Sequence, residues 1–496
     1  MTDALNVAVI GGGWAGMAAA VTLAQSGAKV TVYEAARQPG GRARSLDLSW
    51  PANSAEAGNT AGTAEQTTEA DNGQHILIGA YAECLRLMQT VGVDIEQALL
   101  RKPMTLRYAD GSGLQLPSWP APLDAVAGIA TAKGWSLGER LALLARATRW
   151  RLQGFVCAED ATVAQLCQGL PQRLMDEFIE PLCISALNLP ATQASGTVFL
   201  RVLQDALFAG TGGSHFLVPR ASLGALFPQA AMSWLTAQGH EVRCASRVLE
   251  LISQGLQWSL RIVGDTRSNT GTSTSTNAGT NTATNTGSND SPGNSQHLPR
   301  YDAVILACTP QEAARLNLTV GEDESMSAHD SIALANWSVL ALELEHTAIA
   351  TVYARTQQPG QRLTAELPWL ALRSGPGRPA QFVFDRGHLT GTAQDQGLMA
   401  FVISHSTLGR EYLQQQVLAQ AASELGWTDM QAVKTVIEKR ATFACTPGLQ
   451  RPGMEMCDGL WACGDYIDGP YPATLEGAVR SGVAAALAVT QAALES

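Results

Sequence analysis

The chain has 496 residues, 46% of them hydrophobic, and a formal net charge of −11, which is length enough to bury a core across about two or three domains. The acidic balance, without any block of Lys or Arg, argues against nucleic acid as a partner. Nine cysteines are scattered without a C-x-x-C pair or a histidine spacing suited to zinc, so the expectation is reduced core thiols, a cytoplasmic setting and no metal centre.

Residues 7–34 hold one complete βαβ pattern. Val7-Ala8-Val9-Ile10 reads as a buried parallel strand. Gly11, Gly13 and Gly16 follow in G-x-G-x-x-G spacing, then a helical run to Gly27, then a second apolar strand over residues 30–33 that ends on Glu34. Glycine permits the sharp turn, the close approach of a pyrophosphate and tight packing of helix on strand. The turn Gly11, Gly13, Ala15 and Gly16 therefore reads as a dinucleotide site at a helix N-terminus, where free N–H groups face the phosphates. Glu34 would accept both ribose hydroxyls of an adenosine and repel a 2′-phosphate, which disfavours NADP. A glycine turn without a ligand is the competing reading. A membrane segment is the other, since no charge stands between Asp3 and Lys29, but glycine clustering opposes it and no basic region precedes it.

Gly40-Gly41-Arg42 narrows the ligand to FAD, because a flavin laid across the sheet needs a second close backbone approach and a cation beside its pyrophosphate. An ordinary surface arginine at 42 stays open at this point. Residues 51–70 carry no aliphatic side chain larger than Ala and read as a flexible surface insertion. Polar residues Asp71 to His75 then lead into an apolar run and Tyr81. His75 is either a structural hydrogen-bonder at a turn or a catalyst.

Residues 99–213 read as mostly helical. Capping boxes Ser136-x-x-Glu139 and Thr162-x-x-Gln165 mark two helix starts. In the first, Leu137, Leu141, Leu144, Thr148 and Leu152 share a face, with Arg146 and Arg149 on the other side. Such a helix either turns that apolar face to the core or lies on anionic lipid. A further helix from about Ser195 completes an apolar layer suited to a greasy substrate.

Residues 223–238 read as one helix, and a strand centred on Val248 is expected to pack beside the nucleotide. Residues 256–263 and 303–307 are expected to pair antiparallel, with the Thr/Asn/Ser/Gly run 265–295 between them as a disordered loop. Beyond Pro310, strands are expected at 339–344, 381–384 and 398–403, and a long helix at 411–425. Finally a strand ends in Gly464-Asp465, and Thr474-Leu475 open an Ala-rich helix. Asp465 at a strand tip can hold a ribityl hydroxyl while the helix N-terminus faces phosphate or ring oxygen.

Taken together these motifs resemble the flavin amine oxidase and carotenoid desaturase superfamily over the whole ordered chain. Within it, Asp71-Asn72-Gly73-Gln74-His75 and Gly464-Asp465-Tyr466 through Pro472-Ala473-Thr474-Leu475-Glu476-Gly477-Ala478 look like the squalene-associated branch, the hydroxysqualene dehydroxylases. That resemblance implies an α/β architecture: a Rossmann-like FAD-binding domain, a parallel sheet with helices on both faces, formed by residues 1–90, 215–310 and 435–496. A discontinuous α+β substrate domain would take residues 91–214 and 311–434. It implies FAD held by Gly11, Gly13, Ala15, Gly16, Glu34, Gly41, Arg42, Val248, Gly464, Asp465, Thr474 and Leu475. It further implies hydride delivery from flavin N5 to the carbon bearing the hydroxyl of hydroxysqualene, with His75 or Tyr471 protonating the leaving oxygen. Transient contact with the enzymes that make this lipid, and peripheral contact at the inner face of the cytoplasmic membrane, are further expectations. A phytoene-type desaturase, an amine oxidase and a non-catalytic flavin or lipid carrier remain as alternatives.

Overall fold

The computed structural model describes residues 4–51, 65–208, 210–264, 299–321, 326–358 and 360–495. Strand Asn6–Ile10 pairs in parallel with Lys29–Tyr33 on one edge and Ala303–Leu306 on the other. A strand bonded on both edges and covered on both faces has no wet side, so Val7, Ala8 and Val9 are wholly buried. Glu241–Arg243 and Leu460–Ala462 extend the sheet in parallel, and Glu455–Cys457 closes it antiparallel.

Helices Trp14–Gln25 and Leu475–Glu495 pack along each other on one face of this sheet. Leu475–Glu495 is long and apolar enough to cross a bilayer by length and composition. Its packing against Trp14–Gln25 and its fully buried Glu476 belong instead to a core helix. The other face of the sheet is covered by a four-stranded sheet of Arg300–Tyr301, Gln257–Gly264, Ser246–Gln254 and Asn317–Val320. Its Leu251, Trp258 and Leu260 share one cluster with Ala8, Ile10, Val304 and Leu306. Helix Ala328–Leu342 also reaches this second face beside Glu455–Cys457, with Leu334, Trp337 and Ala341 in the same cluster as Leu460 and Ala462, so helices lie on both faces as expected and strands share the second.

A second, antiparallel sheet runs in the order Trp369–Ala371, Phe382–Asp385, Leu398–Ser404, His346–Arg355, Gln431–Phe443. Helices Leu123–Thr131, Leu137–Leu152, Glu180–Leu187 and Gly196–Phe208 lie within the segment between strands Gly113–Gln115 and Phe216–Pro219. Both predicted capping boxes form.

Several expectations change. Residues 256–263 and 303–307 do not pair: the first strand lies antiparallel to Ser246–Gln254, the second parallel to Asn6–Ile10. Residues 339–344 are mostly the end of helix Ala328–Leu342, since a short apolar run fits either period and the cap at Ser327, twelve residues upstream, decides. The helix expected over 223–238 breaks into Leu223–Leu226 and Pro228–Ala237, because Pro228 offers no N–H to continue the first. Of the insertion expected at 51–70, Glu65–Asp71 is a strand paired with Ser45–Pro51. Residues 52–64 lie outside the described residues, as do 265–298 with the loop expected at 265–295. The face of Leu137–Leu152 is also reversed. Leu143 and Trp150 are its buried side, while Leu137, Leu141 and Leu152 are exposed. Arg146, expected to face solvent, instead donates to the carbonyls of Leu166 and Gln168 at 2.5 and 2.7 Å.

Candidate active site

A cavity of about 960 Å³ lies between the nucleotide sheet, the antiparallel sheet and the helical layer, near the upper end of the size range for small-molecule sites. Its polar end is built from turns. Gly11, Gly13 and Ala15 line it at the N-terminus of helix Trp14–Gln25, and Glu34 stands at the tip of the neighbouring strand. Glu34 is held there by the N–H groups of Gly12 and Ala36, each donating to one carboxylate oxygen at 2.7 Å. Gly16 does not line the cavity. A Cβ there would lie 1.9 Å from the Gly11 carbonyl oxygen, so its part is to let the helix close on the turn.

The second glycine pair meets the first. Gly40 N–H donates to Gly12 O at 2.9 Å, and a Cβ on Gly41 would stand 3.3 Å from the Cα of Gly13. Two side-chain-free turns in contact leave a strip of bare backbone beside a helix N-terminus, the surface an FAD pyrophosphate requires. The residues present therefore fit that cofactor. Val248, Gly464, Thr474 and Leu475 complete the lining. Thr474 Oγ1 accepts the Gly477 N–H at 2.9 Å and so opens the last helix.

Arg42 and Asp465, from loops more than 400 residues apart, form an ion pair at the cavity wall. Arg42 also donates to Ala441 O at 3.3 Å. Asn72, which sequence reasoning did not count as a site residue, donates to Arg42 O at 2.7 Å and accepts the Arg44 N–H at 3.2 Å. It ties the polar run 71–75 to the second glycine turn. Its position inside that run is the signal that could have found it.

His75 and Tyr471 both line the cavity. The Nδ1 of His75 lies 2.7 Å from Gly73 O, and since a carbonyl only accepts, Nδ1 is the donor. Burial lowers the imidazole pKa against the opposing pull of that bond, so the ring is neutral at neutral pH with Nε2 as a free acceptor. Burial, then a bond to Asp205, raises the phenol pKa of Tyr471. Its ring sits under two guanidinium groups, Arg480 at 4.8 Å and Arg201 at 5.5 Å. Arg201 pairs with Asp205 at 2.8 Å, and Arg480 with the buried Glu476 at 2.7 Å. Asp205 and Glu476, both absent from the sequence-based site, hold this cluster; Glu476 also accepts from Glu83 and Cys84 N–H groups at 3.0 Å. The far wall is apolar: Met104, Leu106, Leu182, Val198, Phe216, Phe382 and Phe384. Apart from Met104, which just precedes strand Thr105–Arg107, these come from five separate elements, and no local motif announces them. Among the described residues no His, Cys, Asp or Glu cluster could hold a metal ion.

Residues 14–490 match the family model described as flavin containing amine oxidoreductase. A protein of Rhodopseudomonas palustris named hydroxysqualene dehydroxylase is 25% identical over 97% of this chain and 97% of its own length. One of the same name from Sinorhizobium fredii is 24% identical over the same shares. Among solved structures, an oxidoreductase from Methanosarcina mazei shares the fold, with a TM-score of 0.63 at 14% identity over 98% of this chain and 100% of that one. The chain belongs to the flavin containing amine oxidoreductase family and is an FAD-dependent oxidoreductase.

Proposed function

We propose that the enzyme removes the hydroxyl group of hydroxysqualene reductively, giving squalene and water. The observation that carries this reading is the full-length likeness to proteins of that name. The aliphatic and aromatic far wall of the cavity supports it, because a polyisoprenoid offers nothing but hydrocarbon beyond its single hydroxyl.

Bound in its reduced form, FAD supplies a hydride. In the overall change the C–O bond breaks, a C–H bond forms at the same carbon, and the oxygen leaves as water after taking up one proton. Hydroxide is a poor leaving group, so the chain must deliver that proton. His75 and Tyr471 are the proposed donors. The buried imidazole is a strong acid once protonated, through the Nε2 that Gly73 leaves free. The phenol of Tyr471, its pKa raised by burial and by Asp205, keeps its proton through the neutral range. The apolar wall keeps bulk water from the reacting carbon.

The test is to mix anaerobically reduced enzyme with hydroxysqualene, follow flavin reoxidation, and measure squalene by mass spectrometry. Stoichiometric squalene is expected. Reoxidation without squalene sinks the reading, and desaturation of phytoene by oxidised enzyme with an acceptor would replace it by a desaturase.

A further inference from the structure

The outward side of residues 119–156 is an apolar patch set among cations. In helix Leu137–Leu152, Leu137, Leu141 and Leu152 are 71%, 56% and 83% exposed. At 3.6 residues per turn they fall within about 60° of one another and opposite the buried Leu143 and Trp150. The preceding helix Leu123–Thr131 packs against it and repeats the arrangement, with Ala125 and Ile129 inward and Leu123 and Val126 outward. Trp119 and Val156, before and after the pair, are also exposed. Of seventeen large hydrophobic residues exposed among the described residues, seven lie in this one segment. A soluble surface scatters such residues singly, and a contiguous group marks contact with something apolar.

Charge says what that something is. Residues 119–156 carry Lys133, Arg140, Arg146, Arg149 and Arg151 against Asp124 and Glu139, a local +3 (5 − 2) within a chain of net charge −11. Asp124 is buried and bonded to Ser214, and Glu139 is engaged in the capping box. Arg146 is turned onto the carbonyls of Leu166 and Gln168, and Arg140 donates to Ala130 O, so the exposed cations of this surface are Lys133, Arg149 and Arg151. A second apolar stripe, Ile332, Val339 and Leu342 on helix Ala328–Leu342, contains no Lys or Arg and is followed by Glu343 and Glu345. Leucines in a plane with arginines at its edges suit the boundary between acyl chains and anionic headgroups.

We infer that residues 119–156 form a docking surface for a bilayer rich in anionic lipid. The inference stands on the surface and not on the choice of substrate. Its location is apt all the same: Leu143 and Trp150, on the inner side of the same helix, belong to the cluster that holds Met104 and Leu106, which line the cavity.

The experiment is flotation of the FAD-loaded, full-length protein with phosphatidylglycerol/phosphatidylcholine vesicles and with phosphatidylcholine alone. The expected result is flotation with the anionic vesicles that weakens as salt rises. In L141E/L152E, whose changes sit on exposed positions and leave bound flavin unchanged, the floated fraction should fall at least tenfold. R149E should lower it less, and I332E/V339E should leave it as in the parent. Failure of the parent to float at low salt overturns the inference, as does equal flotation of L141E/L152E. A parent that dimerises in sedimentation, ignores vesicles and becomes monomeric in L141E/L152E assigns the face to a second copy of the chain and overturns it equally.

Discussion

In the nucleotide unit the backbone makes the site; in the helical layer across the cavity the side chains do. Around Gly11–Gly16 and Gly40–Gly41 the contacts run between peptide groups, and residues matter by lacking a Cβ or by capping a turn. Across the cavity the wall is a mosaic of Leu, Val, Met and Phe from unlinked elements. Backbone sites tolerate almost no change of residue type, whereas a wall of side chains tolerates any set that fills the same space. One fold can thus keep its cofactor and exchange its substrate.

The sharpest way to break this contrast is Gly16→Val. Two added methyl groups beyond a Cβ already 1.9 Å from Gly11 O cannot be housed, so loss of flavin and of most folded protein is expected, read as flavin absorbance per chain and yield. Normal flavin content would mean the turn is not what holds the cofactor. Next comes Arg42→Ala, which leaves Asp465, 7% exposed, facing an empty space. FAD affinity should weaken roughly tenfold or more, about 1.4 kcal/mol, measured by fluorescence titration. His75→Ala and Tyr471→Phe probe the boundary between the two regions: each should keep flavin and slow turnover by about a hundredfold if its proton is used. Unchanged turnover in both removes them from the mechanism.

The smallest effect concerns Asp71, which anchors the polar run through the Leu223 N–H at 2.9 Å while its Oδ2 has no partner. Burial raises its carboxyl to about 6, above the 3.8 of an unfolded chain. Between those values the folded state holds a proton that the unfolded state has lost, so this group's stabilising contribution is full below pH 4 and declines as pH rises toward 6. In Asp71→Asn that decline should vanish, seen as a flatter dependence of Tm on pH over the interval. An unaltered slope would show that another group carries it.

How much could be read from the sequence follows the same division. Gly11, Gly13, Gly16, Glu34, the second glycine turn and Gly464-Asp465 are legible because each stands in a local pattern with a backbone reason. Asp205 and Glu476 are not, since their partners lie across helix turns or on another element. The far wall is illegible for a stronger reason: Phe216, Phe382 and Phe384 meet Met104 and Leu182 only after the chain has folded. The orientation of Leu137–Leu152 misled for a related cause. Its leucine stripe obeys the rule for a core-facing helix, yet Trp150 and Leu143 bury more surface on the other side. Periodicity identifies an apolar face; only packing tells which face is inside.

The order of the central sheet has a consequence for how the enzyme is made. Its middle strands are Asn6–Ile10 and Ala303–Leu306, the latter is bonded to Leu460–Ala462, and the first helix is braced by Leu475–Glu495. Asp465, which Arg42 needs as its partner, is synthesised 423 residues later (465 − 42). During translation the N-terminal turn therefore waits, exposed and glycine-rich, for a neighbour that does not yet exist. The complete cavity wall, with Asp465 beside Arg42, exists only once nearly the whole chain has been made.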